Sequence, residues 1–185
     1  MDKKLEILEN FKTAISSTVK SLSNSENVEI SFGNKNLESK NNVIKLPEIK
    51  QINNKINYSQ IRAVADSKSL KVRFSDNLIF KLYEPDGNLS KKLYKIAEKI
   101  RCEKLGSDQF KGVKNNIEKY YQERTNSLDL KNSEDKIIES FENYLRVKLF
   151  ESKNSKELEK KLKSYQKNLN EKFKGKIKQL SNLTH

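Results

Sequence analysis

Residues 62–70 read RAVADSKSL, which sets an aspartate, Asp66, beside the hydroxyls of Ser67 and Ser69. A carboxylate and two serines are the oxygen ligands that a hard cation such as Mg²⁺ takes, provided they converge on one point. A D-x-S-x-S ligand loop carries its serines two and four positions after the aspartate, at the end of a strand. Here they stand at one and three, and the segment reads as helix, which turns neighbouring side chains about 100° apart. The stretch is not a metal loop.

Other chemistry is as scarce. The single histidine is His185, the last residue, so no internal imidazole can serve as base, shuttle or ligand. Cys102 has no histidine to activate it, and as the lone cysteine it can form no internal disulfide. There is no G-x-x-x-x-G-K-[ST] phosphate loop and no G-x-G-x-x-G. Carboxylates are plentiful, but on helices this polar they read as solvated. The residues themselves therefore point to no catalytic, cofactor or metal site, and to no autonomous active site.

The elements that position these residues follow from periodicity. Leu5, Leu8, Phe11, Ile15, Val19 and Leu22 recur every three or four residues and predict an amphipathic helix over 3–23. Val28–Phe32 alternates as a short strand closed by Gly33, and 42–47 reads as a second strand, forming a small hairpin with the first across the polar loop 34–42. Pro47 and the residues after it predict an irregular crossing. A helix runs from Tyr58 to about Arg73, with Ile61, Ala65 and Val72 on one face. LIFKLY, 78–83, fits a strand or a helical turn, and EPDGN marks a turn. Asn88 is the candidate N-cap of the next helix, with Gly106 just past its end. Val113, Ile117, Tyr120 and Tyr121 mark another, and Ile137, Ile138, Phe141, Tyr144, Leu145 and Leu149 the next. The last runs from Lys156 to about Leu183 on a near-heptad stripe, with Asn154 and Glu157 as a candidate capping box. The fold class is a predominantly helical α+β domain: a helix, a small β element, then four or five helices.

The formal net charge of +13 raises the question of nucleic acid. The lysines are spread from Lys3 to Lys178 with acids among them, and the Lys, Asn and Ile richness is what an AT-rich genome favours. Dispersed charge of this kind solubilises, and it argues against a nucleic-acid binder. No run reaches the roughly 20 apolar residues a membrane span needs. The N-terminus is amphipathic and carries acids, unlike a secretory signal, so a cytoplasmic protein with no membrane contact is expected.

Three blocks in order carry a resemblance. RAVADSKSL supplies Arg62, Ala65, Asp66, Ser67 and Leu70; the run after Ile96 supplies Glu98, Arg101, Glu103 and Gly106; Gly112, Val113 and Asn116 complete it. Together they resemble the R-G-x-A-D-S-x-A-L, E-x-x-R-x-E-x-x-G and G-V-x-x-N blocks of the T subunit of aerobic cobaltochelatase, CobT, in its N-terminal domain. FKTAISSTVKSLSNSENVEISFG is also similar to that family's opening, and the likeness covers about residues 8–125. Ala63 stands in place of the family's glycine and Ser69 in place of its alanine. Ser75 and Phe80 stand where relatives often carry histidines, so no role of those histidines carries over.

The resemblance implies a role in a complex. In that family the T subunit assembles with a ring-forming AAA+ ATPase, the S subunit. The pair drives a large third subunit to insert Co²⁺ into hydrogenobyrinic acid a,c-diamide, in cobalamin biosynthesis. The resemblance implies that ATP and Co²⁺ are used by the parent complex, and none is expected to be bound by this chain. Residues 1–150 form the T-subunit-like domain and 151–185 an amphipathic helix, which the family's pattern would continue into an acidic linker and an integrin-type domain. Two alternatives stay open: a basic helical nucleic-acid-binding module, and a coiled-coil interaction module built on the last helix. Glu98 and Arg101, three apart, can pair within the helix, or with Glu103 can present charge to the ATPase ring. Arg62 and Asp66, four apart, can pair likewise. Gly112 and Asn116 read as backbone and capping residues.

Overall fold

The structure is a computed structural model that describes residues 3–33, 43–49, 51–52, 55–126, 132–150 and 156–173. Helix α1 (Lys3–Ser23) leads into strand β1 (Glu29–Phe32), then β2 (Val43–Leu46) and the two-residue strands β3 (Gln51–Ile52) and β4 (Lys55–Ile56). Six helices follow: α2 (Tyr58–Phe74), α3 (Asn77–Leu82), α4 (Asn88–Gln109), α5 (Lys111–Asn126), α6 (Ser133–Phe150) and α7 (Lys156–Phe173). The predominantly helical α+β class holds. The additional helix is the six-residue α3, formed by the LIFKLY run. Asp76 caps it, its carboxylate accepting from the N–H groups of Leu78 at 2.8 Å and Ile79 at 3.0 Å.

Helix α2 is the hub. It packs on α1, on β2, on α4 and on α5, while α4 also holds α5 and α6, and α6 holds α7. Ile15 and Val19 of α1 meet Val28, Ile44, Leu46, Ile61 and Ala65 in one core cluster. Leu22, Leu70, Cys102 and Ile117 make a second, where α1, α2, α4 and α5 converge. Ile100, Tyr144, Leu145 and Phe150 make a third between α4 and α6. Leu158 and Leu162 of α7 are buried, so the first half of the C-terminal stripe is spent inside the fold. Residues 174–185 lie outside the described residues, as do Asn154 and the side chain of Glu157, the expected capping box.

Four expectations are corrected. First, β1 and β2 pair in parallel, Glu29 with Val43 through Phe32 with Leu46, so they form no hairpin. Residues 33–42 are long enough at about 3.3 Å per residue to return the chain to the starting end of β1. Gly33, at φ +76, leaves the strand in the left-handed region while its N–H still donates to the Leu46 carbonyl at 3.0 Å. Second, Val72 is exposed, and Ser69 and Leu70 take the inward face of α2 instead. Third, Asn88 is already helical. The N-cap of α4 is Gly87, at φ +88, whose carbonyl accepts from the Lys91 N–H at 3.0 Å.

Fourth, Gly106 does not end α4, which runs three residues further to Gln109. It is a contact point: a Cβ there would lie 2.8 Å from Leu70 Cγ and closer still to both methyls. Only a bare Cα lets α2 and α4 approach this closely. Gly112, by contrast, faces open space where a Cβ would stand, and it has an ordinary helical place in the first turn of α5. Gly106→Ala is therefore expected to destabilise the domain by about 1–3 kcal/mol through overpacking. Gly112→Ala should leave stability unchanged or raise it by up to about 1 kcal/mol. Urea unfolding midpoints of the two variants check this, and equal midpoints would remove the steric reading.

Candidate functional site

The motif residues converge between α2, α4, α5 and α6. Asp66, buried on α2, turns its carboxylate to α5, where Asn116 Nδ2 donates to Oδ2 at 2.8 Å. Among the described residues it makes no ion pair with Arg62, which stays exposed one turn back. Asn116 is thus a link between helices, not a cap. Ser67, the next residue, donates to Glu103 Oε1 of α4 at 2.5 Å. The neighbouring side chains of Asp66 and Ser67 thus reach two different helices.

Glu103 is 1% exposed, which removes it from any partner-facing surface. Its second oxygen accepts from Arg146 Nη2 of α6 at 2.7 Å. Arg146 also donates to Glu142 Oε1 from Nη2 at 3.1 Å and from Nε at 3.2 Å, and its guanidinium lies 4.4 Å from the centre of the Tyr121 ring. Glu142 further receives Lys99 at 3.2 Å and Arg124 at 3.0 Å. Arg124 forks onto Glu139 as well, at 2.8 and 3.1 Å. Burial alone would raise Glu142, but Lys99, Arg146 and Arg124 together hold it down at about 2. Burial works against the Arg146 cation too, and the Glu103 and Glu142 carboxylates outweigh it, raising its pKa. Burial raises the Tyr121 phenol to about 12, though Asn143 donates to its oxygen at 3.3 Å.

Glu98 and Arg101 pair through two hydrogen bonds of 2.8 and 2.9 Å. Arg101 Nη2 also donates to the Phe74 carbonyl at 2.7 Å, satisfying a backbone acceptor at the C-terminus of α2. Glu98 aims the guanidinium, and Arg101 closes the neighbouring helix. Cys102 beside them is buried, and burial first, then the nearby Glu98 carboxylate, push its thiol up to about 12, so it is an inert core group.

The residues that sequence reasoning missed are Tyr121, Arg124, Glu142 and Arg146. Their signal was present: Glu142 and Arg146 stand four apart inside FENYLRV, amid apolar residues. The face carrying them and Ser140 and Asn143 is buried, although it looks like the polar side of an amphipathic helix. Against this network lies a cavity of about 390 Å³, walled by α2, α4, α5 and α6. Among the described residues no group of three or more His, Cys, Asp or Glu side chains is placed to hold a metal ion. No helix among them is long and apolar enough to cross a membrane.

A family model described as cobalamin biosynthesis protein CobT matches residues 6–185. The chain belongs to the CobT family. The match extends beyond the three motif blocks through α6 and α7, the helices that supply Arg146 and the cover of the third core cluster. No solved structure matches the chain. The CobT-type blocks are, in this fold, contacts between helices: Asp66 to Asn116, Ser67 to Glu103, Leu70 to Gly106, Arg101 to the end of α2.

Two outcomes follow. Arg146→Met leaves buried Glu103 with only the longer contact to Lys99, at 3.9 Å, and should cost about 3–5 kcal/mol of stability at neutral pH, read by urea unfolding. The acid response is set by sign. Glu142 is harder to protonate folded than unfolded, so its contribution is complete above its ordinary 4.5 and drains away as pH falls toward about 2. Asp66 is raised by burial, against the Asn116 bond and Arg62, so its contribution runs the other way and grows as pH falls. Glu142→Gln should flatten the acid loss of stability and Asp66→Asn should steepen it. Parallel pH profiles for both variants and the parent would contradict the assignment.

Proposed function

We propose that this chain acts as a non-catalytic adaptor domain of an ATP-dependent cobaltochelatase, assembling with an AAA+ ATPase S subunit and a large metal-inserting subunit. ATP and Co²⁺ are used by the partners, in the insertion of cobalt into hydrogenobyrinic acid a,c-diamide. The observation that carries this reading is the CobT family match over residues 6–185. It is supported by how the motif residues are spent. Asp66, Ser67, Glu103, Gly106 and Asn116 hold helices to one another, and the thiol of Cys102 is buried. A domain whose distinctive residues are consumed in rigid helix packing suits presentation of a surface to a partner.

Arg62 is the charged motif residue left exposed, and it carries the interface role in this account. Co-purification with the S-type ATPase, with and without ATP and over a salt series, tests it. The expected result is a complex that survives moderate salt and alters the ATPase rate. Arg62→Gln should weaken that complex by about tenfold while circular dichroism shows the helical fold retained. Retention on DNA with no ATPase complex would overturn the adaptor reading in favour of a nucleic-acid module.

A further inference from the structure

The cavity of about 390 Å³ is not accounted for by helix packing. It is a cleft partly open to solvent, and its size falls in the range of small-ligand sites. Its walls are divided. Ile117 and Tyr120 of α5, with Ala63 and Val64 of α2, give an apolar side. The charged side carries six cations, Lys68, Lys71, Lys95, Lys99, Arg124 and Arg146, against two carboxylates, Glu103 and Glu142.

Those two carboxylates are already engaged by Arg146, Arg124 and Lys99. The surplus positive charge sits on Lys68, Lys71 and Lys95. Among the described residues no carboxylate forms an ion pair with Lys68 or Lys71. Lys68 donates to the Lys45 carbonyl at 2.6 Å, and Lys71 lies 5.0 Å from the centre of the Phe80 ring. Burial, then the nearby charges of Lys45 and Lys71, lower the pKa of Lys68, as expected where positive potential is uncompensated. Lys95 reaches Glu84 only at 3.7 Å, with its side chain more than half exposed.

The layout also sets the number of anionic groups. Lys68 and Lys71 are three apart on α2 and offer a pair of ammonium groups on one face, while on α4 Lys95 stands one turn before Lys99, which is already bonded to Glu142 at 3.2 Å. We propose that this cavity binds a small organic anion bearing at least two carboxylates. One carboxylate is held by Lys68 and Lys71, another by Lys95, and the apolar body lies against Ile117 and Tyr120. The Glu103–Arg146 network beneath is rigid and already satisfied, so it shapes the floor without competing for the ligand. The site is independent of the adaptor role.

Benzene-1,3,5-tricarboxylate is a suitable probe, titrated into the full chain at moderate salt by calorimetry and by amide NMR. Saturable one-to-one binding is expected, with shifts concentrated around Lys99, Ile117 and Tyr120, and benzoate should bind far more weakly. Lys68→Gln combined with Lys71→Gln should weaken the tricarboxylate by about tenfold or more. Lys148→Gln combined with Lys163→Gln removes the same charge from exposed positions outside the cavity lining and should leave it unchanged; circular dichroism confirms that both variants stay helical. Equal weakening by both pairs would reduce the effect to net charge and overturn the site. Absence of saturable binding would overturn it as well. So would binding of hexaglutamate in place of the tricarboxylate, which would make the lysines a partner-protein contact.

Discussion

The buried Arg146 guanidinium is the constraint on which the helical assembly depends. It sits 2.7 Å from Glu103 of α4, bonds Glu142 on its own helix, and covers the Tyr121 ring of α5. Ser67 of α2 takes the other oxygen of Glu103. One cation and one carboxylate therefore fix the relative placement of four helices. Such a network is not a cheap source of stability, because both charges lose their water; an apolar replacement of similar volume would often serve as well or better. What it adds is geometry. Each donor and acceptor has a direction, so a slipped helix would strand a charge in the interior, and that penalty disfavours alternative packings.

The CobT-type blocks are used in the same way, in contacts that hold helices together. Here Asp66 is answered by Asn116, Ser67 by Glu103, and Arg101 by Glu98 and a helix-end carbonyl. Groups engaged in this way are held still and screened. On the adaptor reading, the chemical work of a cobalt-inserting system falls to partners, while this domain offers them a stiff, basic, largely helical body.

Much of the architecture is legible in the chain, and the unreadable parts have physical causes. The α1 helix, with bounds at Lys3 and Ser23, follows from an uninterrupted apolar stripe. The pairing of Glu98 with Arg101 follows from helical spacing. The parallel pairing of β1 and β2 does not, because a polar connection sets no strand direction. Gly106 suggests a helix end, since glycine is common there; its actual role depends on Leu70, thirty-six positions earlier in a helix whose approach no local pattern encodes. The Glu103–Arg146 contact spans 43 residues. The polar face of α6 looks solvated because it alternates with an apolar stripe, yet α4 and α5 bury it from the other side.

A double-mutant cycle between Glu103→Gln and Arg146→Met, followed by urea unfolding, tests the central claim most directly. If the pair is the constraint described, the two substitutions are strongly coupled, with an interaction energy of about 2–3 kcal/mol, and the double variant is little worse than the more damaging single one. Costs that add to within about 0.5 kcal/mol would contradict it, and would mean that apolar packing alone holds α4 to α6.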